Sequence, residues 1–348
     1  MIPTLPDFVA GTMVLSITVY VLLAGADFGG GVWDLLATGP RKDEQRALIA
    51  NAIGPVWEAN HVWLILVVVM LFSCFPAAFA HLSTELHVPL TLMLVGVVLR
   101  GSAFTFRAYD RDDDIVQQRW GLIFSIASVI TPVLLGMCVG TVAAGNIPLH
   151  DSAEAAVIAA PTFVARFVSP WWRLFPISVG VLTLTLFSLL AATYLTVEAQ
   201  EPDTREGFRT RALGATVAVA VAALVAAVLA HSDAPLVFAA LTRGARAIVL
   251  LSATLLFALT AIVSLWKRWF QLARVAVAAE ASFIVWGWAW SQYPFMLPPT
   301  HTIESLAAPR STLLWVMGTL IAGTLILLPS FFYLFRIFKR GEALEIEH

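Results

Sequence analysis

Residues 212–230 read ALGATVAVAVAALVAAVLA, an apolar run without a single charge. A bilayer core about 30 Å thick is crossed by roughly 20 apolar residues in a helix, so this run is long enough to span one. Residues 248–265 and 313–335 are equally charge-free. The composition agrees: 59% of the chain is hydrophobic, 13% is charged, and the mean hydropathy is +0.84. A soluble domain is roughly 45–50% apolar and about 25% charged. The balance excludes a disordered chain, a soluble enzyme and a nucleic-acid binder working through a basic patch. With a net charge of −2 there is no bulk field to steer a polyanion. Cys74 and Cys138 lie in apolar runs with no metal-type spacing and read as small core residues.

Working outward from these runs gives an all-α polytopic membrane protein with nine transmembrane helices. They fall at about 8–36, 51–79, 83–107, 119–144, 172–197, 211–231, 246–266, 271–292 and 312–337. The first stretch lacks a signal-peptide pattern and is expected to be a retained helix. Fifteen of the twenty-one Lys and Arg fall in alternate loops, from Arg41, Lys42 and Arg46 to Arg336, Lys339 and Arg340. The positive-inside rule then puts the N-terminus outside and the C-terminus in the cytoplasm. Pro161 to Trp172 and Tyr293 to Pro299 form Pro-rich, aromatic outer loops. Trp171, Trp172 and Tyr293 there suit the membrane–water interface. The halves show no sequence repeat strong enough to claim.

Ionisable groups inside spans are costly and mark ion pairs or function. Four stand out: Asp27, Glu58, Arg100 and Glu280. At 1.5 Å per residue, Glu58 and Arg100 lie roughly 10 Å in from the cytoplasmic side and Glu280 roughly 14 Å. Arg100 is expected to neutralise Asp27, Glu58 or both, either as an ion-pair staple or at a cytoplasmic entrance for protons or cations. Glu280 has no in-span counter-charge. The densest polar–aromatic stretch is Gly54-Pro55-Val56-Trp57-Glu58-Ala59-Asn60-His61-Val62-Trp63. On a helix Glu58 and His61 share a face and Trp57 and Asn60 an adjacent one. Such a surface suits protein, water or a cofactor rather than lipid.

His61, His81, His87, His150, His231, His301 and His348 include no pair at matched depth on two helices, as a bis-histidine haem needs. No haem-attachment, zinc-protease, Walker or nucleophile-elbow motif is present. The triple glycine at Gly29 to Gly31 lacks the setting of a dinucleotide fingerprint and points to close helix packing.

The same stretches carry a resemblance. The run from Ala26 to Leu35, the run from Gly54 to Leu64, Leu99-Arg100-Gly101, Tyr293-Pro294-Phe295-Met296 and Ala307-Ala308-Pro309 resemble subunit II of the bacterial cytochrome bd-type quinol oxidases, in the family's order. The resemblance implies two four-helix bundles, near 1–144 and 145–292, with a peripheral helix and tail at 293–348. It implies a heterodimer with subunit I, which would carry two b-type haems and one d-type haem and oxidise quinol, while this chain binds no cofactor or metal alone. A small single-span accessory subunit and membrane lipid are further implied partners, and nucleic acid is not. The chain would sit in the bacterial cytoplasmic membrane and contribute to assembly and proton supply. Proton-pathway candidates are Glu58, Asp27, His61 and Glu280, with Arg100 as charge partner and Trp57, Asn60 and Trp63 completing the helix motif. No catalytic residue is expected on this chain. Many members carry Gly-Phe-Asp near the end of the first helix, whereas here Asp27 precedes Phe28 and Gly29 follows it. The competing reading is a secondary transporter with Glu58, Arg100 and Glu280 around a substrate. Such folds pair broken helices near mid-membrane, and no Pro-interrupted pair is evident in the sequence. A third is a purely structural membrane partner.

Overall fold

A computed structural model describes residues 3–53, 57–109, 114–147 and 162–345, without the side chains of some residues near these boundaries and in the last helix. Among the described residues there are thirteen α-helices and one small hairpin. The first half contains α1 (Leu5–Leu35), α2 (Lys42–Ile53), α3 (Trp57–Cys74), α4 (Pro76–Glu85), α5 (His87–Tyr109) and α6 (Asp114–Ala143). After the short α7 (Phe163–Phe167) come α8 (Leu174–Glu198), α9 (Pro202–Asp233), α10 (Pro235–Thr242), α11 (Ala245–Trp266) and α12 (Phe270–Gln292). Strands β1 (Phe295–Leu297) and β2 (His301–Thr302) pair antiparallel ahead of α13 (Arg310–Glu345). Eight of the helices are long and apolar enough to cross a membrane: α1, α5, α6, α8, α9, α11, α12 and α13. The α3–α4 pair makes a ninth only if its two bent parts count as one span.

The expected second span, 51–79, is not one helix. Its first residues close α2, which begins at Lys42, in a stretch read as a loop. Its far end breaks at Phe75, and α4 turns away by 118°. Pro76 explains the break: its ring disfavours helical backbone in the preceding residue, and it has no N–H to continue the ladder. Phe75 sits at φ −138°, ψ 59°. The same device recurs in the second half, where Ala234 before Pro235 has φ −138°, ψ 60°. The two halves thus follow one order of elements, and the Pro-marked breaks are paired after all. They stand at the ends of α3 and α9.

α1 and α8 pack through small residues. A Cβ on Gly29 would stand 2.0 Å from the carbonyl oxygen of Phe187, and one on Gly31 would stand 2.2 Å from Ser128 Oγ. The glycines at these two positions therefore serve close packing, as the sequence suggested. Trp33 Nε1 donates to the carbonyl of Ser188 at 2.8 Å. Around this contact the main core gathers Phe28 of α1, Phe187 and Leu190 of α8, Ala215 of α9, Leu265 of α11 and Val277 of α12. Other apolar side chains face outward, such as Leu255 on α11 and Trp315 on α13. Burying them would need lipid or a partner.

Three of the basic loops meet at one end of the molecule. Arg41 pairs with Asp203, Arg209 and Arg268 share Glu206, and Arg211 donates to Gln45 at 2.7 Å. At the other end, the loop after α12 folds over the break in α3, where the Ala308 N–H donates to the carbonyl of Cys74 at 2.8 Å. Leu297 and Leu306 are buried there against Phe75, Val9 and Met13. Of the three aromatics expected at the interface, Trp172 and Tyr293 are exposed, while Trp171 is buried and donates to the Phe167 carbonyl. Cys74 and Cys138 are free and buried.

Candidate functional site

Two members of the expected charge cluster, Asp27 and Arg100, meet where α1, α3, α5 and α6 come together. Asp27 and Arg100 are each only 2% exposed. Arg100 Nη1 donates to Asp27 Oδ2 at 2.7 Å, and Nη2 donates to Asp27 Oδ1 and to the Asp27 carbonyl. A charge inside a low-dielectric core is tolerated only when its hydrogen bonds are met. The remaining valences are filled accordingly. Arg100 Nε donates to Ser128 Oγ at 2.9 Å, and Asn60 Nδ2 donates to Asp27 Oδ2 at 3.1 Å. The guanidinium lies between the rings of Phe28 and Phe124, at 4.6 and 4.8 Å from their centroids. Both faces of the cation thus meet aromatic π-density, which favours it once desolvated.

Other candidates stand as follows. Asn60, on the motif helix, is fully buried. His61 is half-buried, and its Nδ1 has no hydrogen-bond partner among the described residues. Trp63 packs against the main core. Glu58 and Trp57 occupy the first turn of α3, but their side chains lie outside the described residues. The expected Arg100–Glu58 contact lies outside the described residues. Glu280 is buried on α12, with Oε2 unpartnered, and no ion pair or hydrogen bond joins it to the Asp27 group among the described residues.

Two buried carboxylates escaped the sequence reading. Asp34, 1% exposed, accepts from Ser125 Oγ at 2.9 Å and faces Arg46 at 3.8 Å. Glu85, 4% exposed, pairs with Arg166 at 2.7 Å. Asp34 follows Asp27 by seven residues, and a spacing near two turns was the available signal. Glu85 and Arg166 are 81 residues apart, and nothing in the sequence links them.

The described histidines are scattered over the fold. His61, His81 and His87 lie on α3, α4 and α5, His231 ends α9, and His301 is in β2. His87 already contacts the Thr84 carbonyl through Nδ1 at 2.9 Å and packs its ring on Phe167. Among the described residues no group of three or more His, Cys, Asp or Glu converges as a metal site.

A multi-pass helical membrane protein with a closed charge cluster in its interior is the class that these features define. The chain belongs to the family of cytochrome bd terminal oxidase subunit II, whose pattern matches residues 5–338. It is 26% identical over 333 residues to a Bacillus subtilis (strain 168) protein provisionally named cytochrome bd menaquinol oxidase subunit II, covering 93% of this chain and 92% of that one. With cytochrome bd-I ubiquinol oxidase subunit 2 of Escherichia coli (strain K12) it shares 26% identity over 180 residues, 51% of this chain and 44% of the other. The fold superposes on a chain of the bd oxidase from Geobacillus thermodenitrificans with a TM-score of 0.79 at 21% identity, covering 97% of this chain and 99% of that one. The family is a subunit of a haem-containing quinol oxidase, an oxidoreductase complex in which subunit II pairs with subunit I. The chain is a multi-pass protein of the bacterial cytoplasmic membrane.

Proposed function

We propose that this chain binds no haem itself, is needed to assemble the haem-bearing subunit I, and supplies that subunit with protons from the cytoplasm. Subunit I then holds two b-type haems and one d-type haem and oxidises quinol. Subunit II has its N-terminus outside and its arginine-rich end in the cytoplasm, with helices 1–144 and 145–292 as two bundles and 293–348 as a peripheral segment. A small single-span subunit completes the assembly.

The buried Asp27–Arg100–Asn60 group carries the proton-supply reading. It places a carboxylate, a guanidinium and an amide together in the membrane interior, beside the helix that bears Glu58 and His61. A carboxylate reached from one surface by polar neighbours is what a proton relay requires. Glu58 is the transferring group, His61 and Asp27 its neighbours, Glu280 a second acid on α12, and Arg100 the charge partner. Trp57, Asn60 and Trp63 shape the α3 surface around it. The scattered histidines support placing the haems on the partner.

Reduced-minus-oxidised spectra of membranes expressing each subunit alone and both together test the haem and assembly parts. Haem bands that need both chains are expected. Stoichiometric haem on this chain alone, lost in His61→Ala, would overturn the assignment.

A further inference from the structure

The Asp27 group has a second polar layer beside it, nearer the arginine-rich end, and the proposed function leaves that layer unused. Asp34 lies two turns along α1 from Asp27, on the same face. That separation is about 10 Å along the helix axis. α6 supplies a serine to each layer. Ser125 donates to Asp34 Oδ2 at 2.9 Å, and Ser128, almost one turn further on, accepts from Arg100 at 2.9 Å. Gly31 stands between the two aspartates, and only the absence of its side chain lets Ser128 Oγ enter the seam. Arg46 reaches over from α2. Its Nε is 3.8 Å from Asp34 Oδ1, its Nη2 donates to the Asp34 carbonyl at 3.5 Å, and its side chain is 28% exposed. Asp34 itself is 1% exposed. Arg46, a partly exposed cation, therefore stands between the basic surface and a carboxylate inside the bundle, and Ser125 and Ser128 of α6 lie between that carboxylate and the buried pair.

We infer that Asp34 is the entry carboxylate of the proton route, with Arg46 at its mouth and the Ser125–Ser128 seam leading inward. The inference rests on the proton-supply reading of this chain. A proton from water at the arginine-rich surface binds the Asp34 carboxylate and forms the neutral acid. It then leaves along the seam toward Asp27 and restores the carboxylate, so no charge accumulates. A staple holding α2 onto α1 would use the same ion pair without moving a proton, and the test separates the two roles.

The two-subunit complex carrying Asp34→Asn is examined in a single turnover with a pH-indicator dye, beside Ser125→Ala and Glu58→Gln. Proton uptake at least tenfold slower in Asp34→Asn, with unaltered haem content and an unaltered haem-to-haem electron-transfer phase, is the expected result. Ser125→Ala should slow uptake several-fold. Wild-type uptake in Asp34→Asn overturns the inference. If Glu58→Gln is slow in the same experiment, the failure is confined to Asp34. If Glu58→Gln is also unchanged, the proton-supply reading falls with it. Should Asp34→Asn fail to assemble, wild-type uptake in Ser125→Ala overturns the inference by itself.

Discussion

Arg100 on α5 grips both carboxylate oxygens and the main-chain carbonyl of Asp27 on α1. The two residues are 73 positions apart in the chain, so this contact fixes two helices against each other at a depth where water cannot substitute. Removing one partner leaves the other charged and buried, at a cost of roughly 3–5 kcal/mol. Arg100→Ala should therefore sharply reduce the yield and thermal stability of the assembled complex. A double variant, Asp27→Leu with Arg100→Met, should recover much of the loss. Thermal unfolding of the four combinations measures the coupling, and additive losses would contradict it.

Gly29 offers a cleaner packing test. A Cβ there collides with a backbone oxygen of α8, which cannot swing aside, whereas Gly214 on α9 has nothing within 4 Å. Gly29→Ala should destabilise by about 1–3 kcal/mol. Gly214→Ala should be neutral or slightly stabilising, since alanine is the better helix former. Melting temperatures in detergent decide, and equal values for the two would remove the close-approach argument.

At the opposite end from the basic loops, Arg166 on α7 pairs with the buried Glu85. The Glu85 hydrogen bond pushes the Arg166 guanidinium above its ordinary value. The contribution of a raised base is complete below its unfolded pKa and lost only as pH rises through the folded one, so from this arginine it is constant across the neutral range. Arg166→Ala should cost roughly 1.5–3 kcal/mol at every neutral pH. Thermal melts of both proteins across that range check this, and a gap that closes within it would contradict the assignment.

Much of this was legible in the sequence because apolar runs of membrane length state their own role. The Asp27–Arg100 pair was legible because two charges deep in spans must find each other. The break at Phe75 was not, because Pro76 stands near the end of an apolar run that continues past it. Asp34 was missed for a different reason. A charge at the end of a span reads as interfacial, and its burial arises only when α2 folds across it, with Ile49 packing against Phe124 and Phe208. The burial of Trp171 was not legible, because an indole in an outer loop can face lipid or its own helix turn, and here it donates to the Phe167 carbonyl.

Glu280 separates structural from chemical roles. Among the described residues it forms no ion pair and its Oε2 is buried without a hydrogen-bond partner, so removing its charge breaks no described contact. Glu280→Gln should keep the melting temperature and haem content, with a stability change of about 1 kcal/mol or less. As a second acid on the route it should nonetheless lower oxygen uptake per haem several-fold. An unchanged rate would take it off the route.

Glu58 on the first turn of α3 carries the central claim, and oxygen uptake per haem in the Glu58→Gln complex tests it most directly. The account predicts normal assembly, normal haem spectra and a rate at least tenfold below wild type, with Glu58→Asp retaining part of the activity. A wild-type rate per haem, with any defect confined to complex yield, would contradict it.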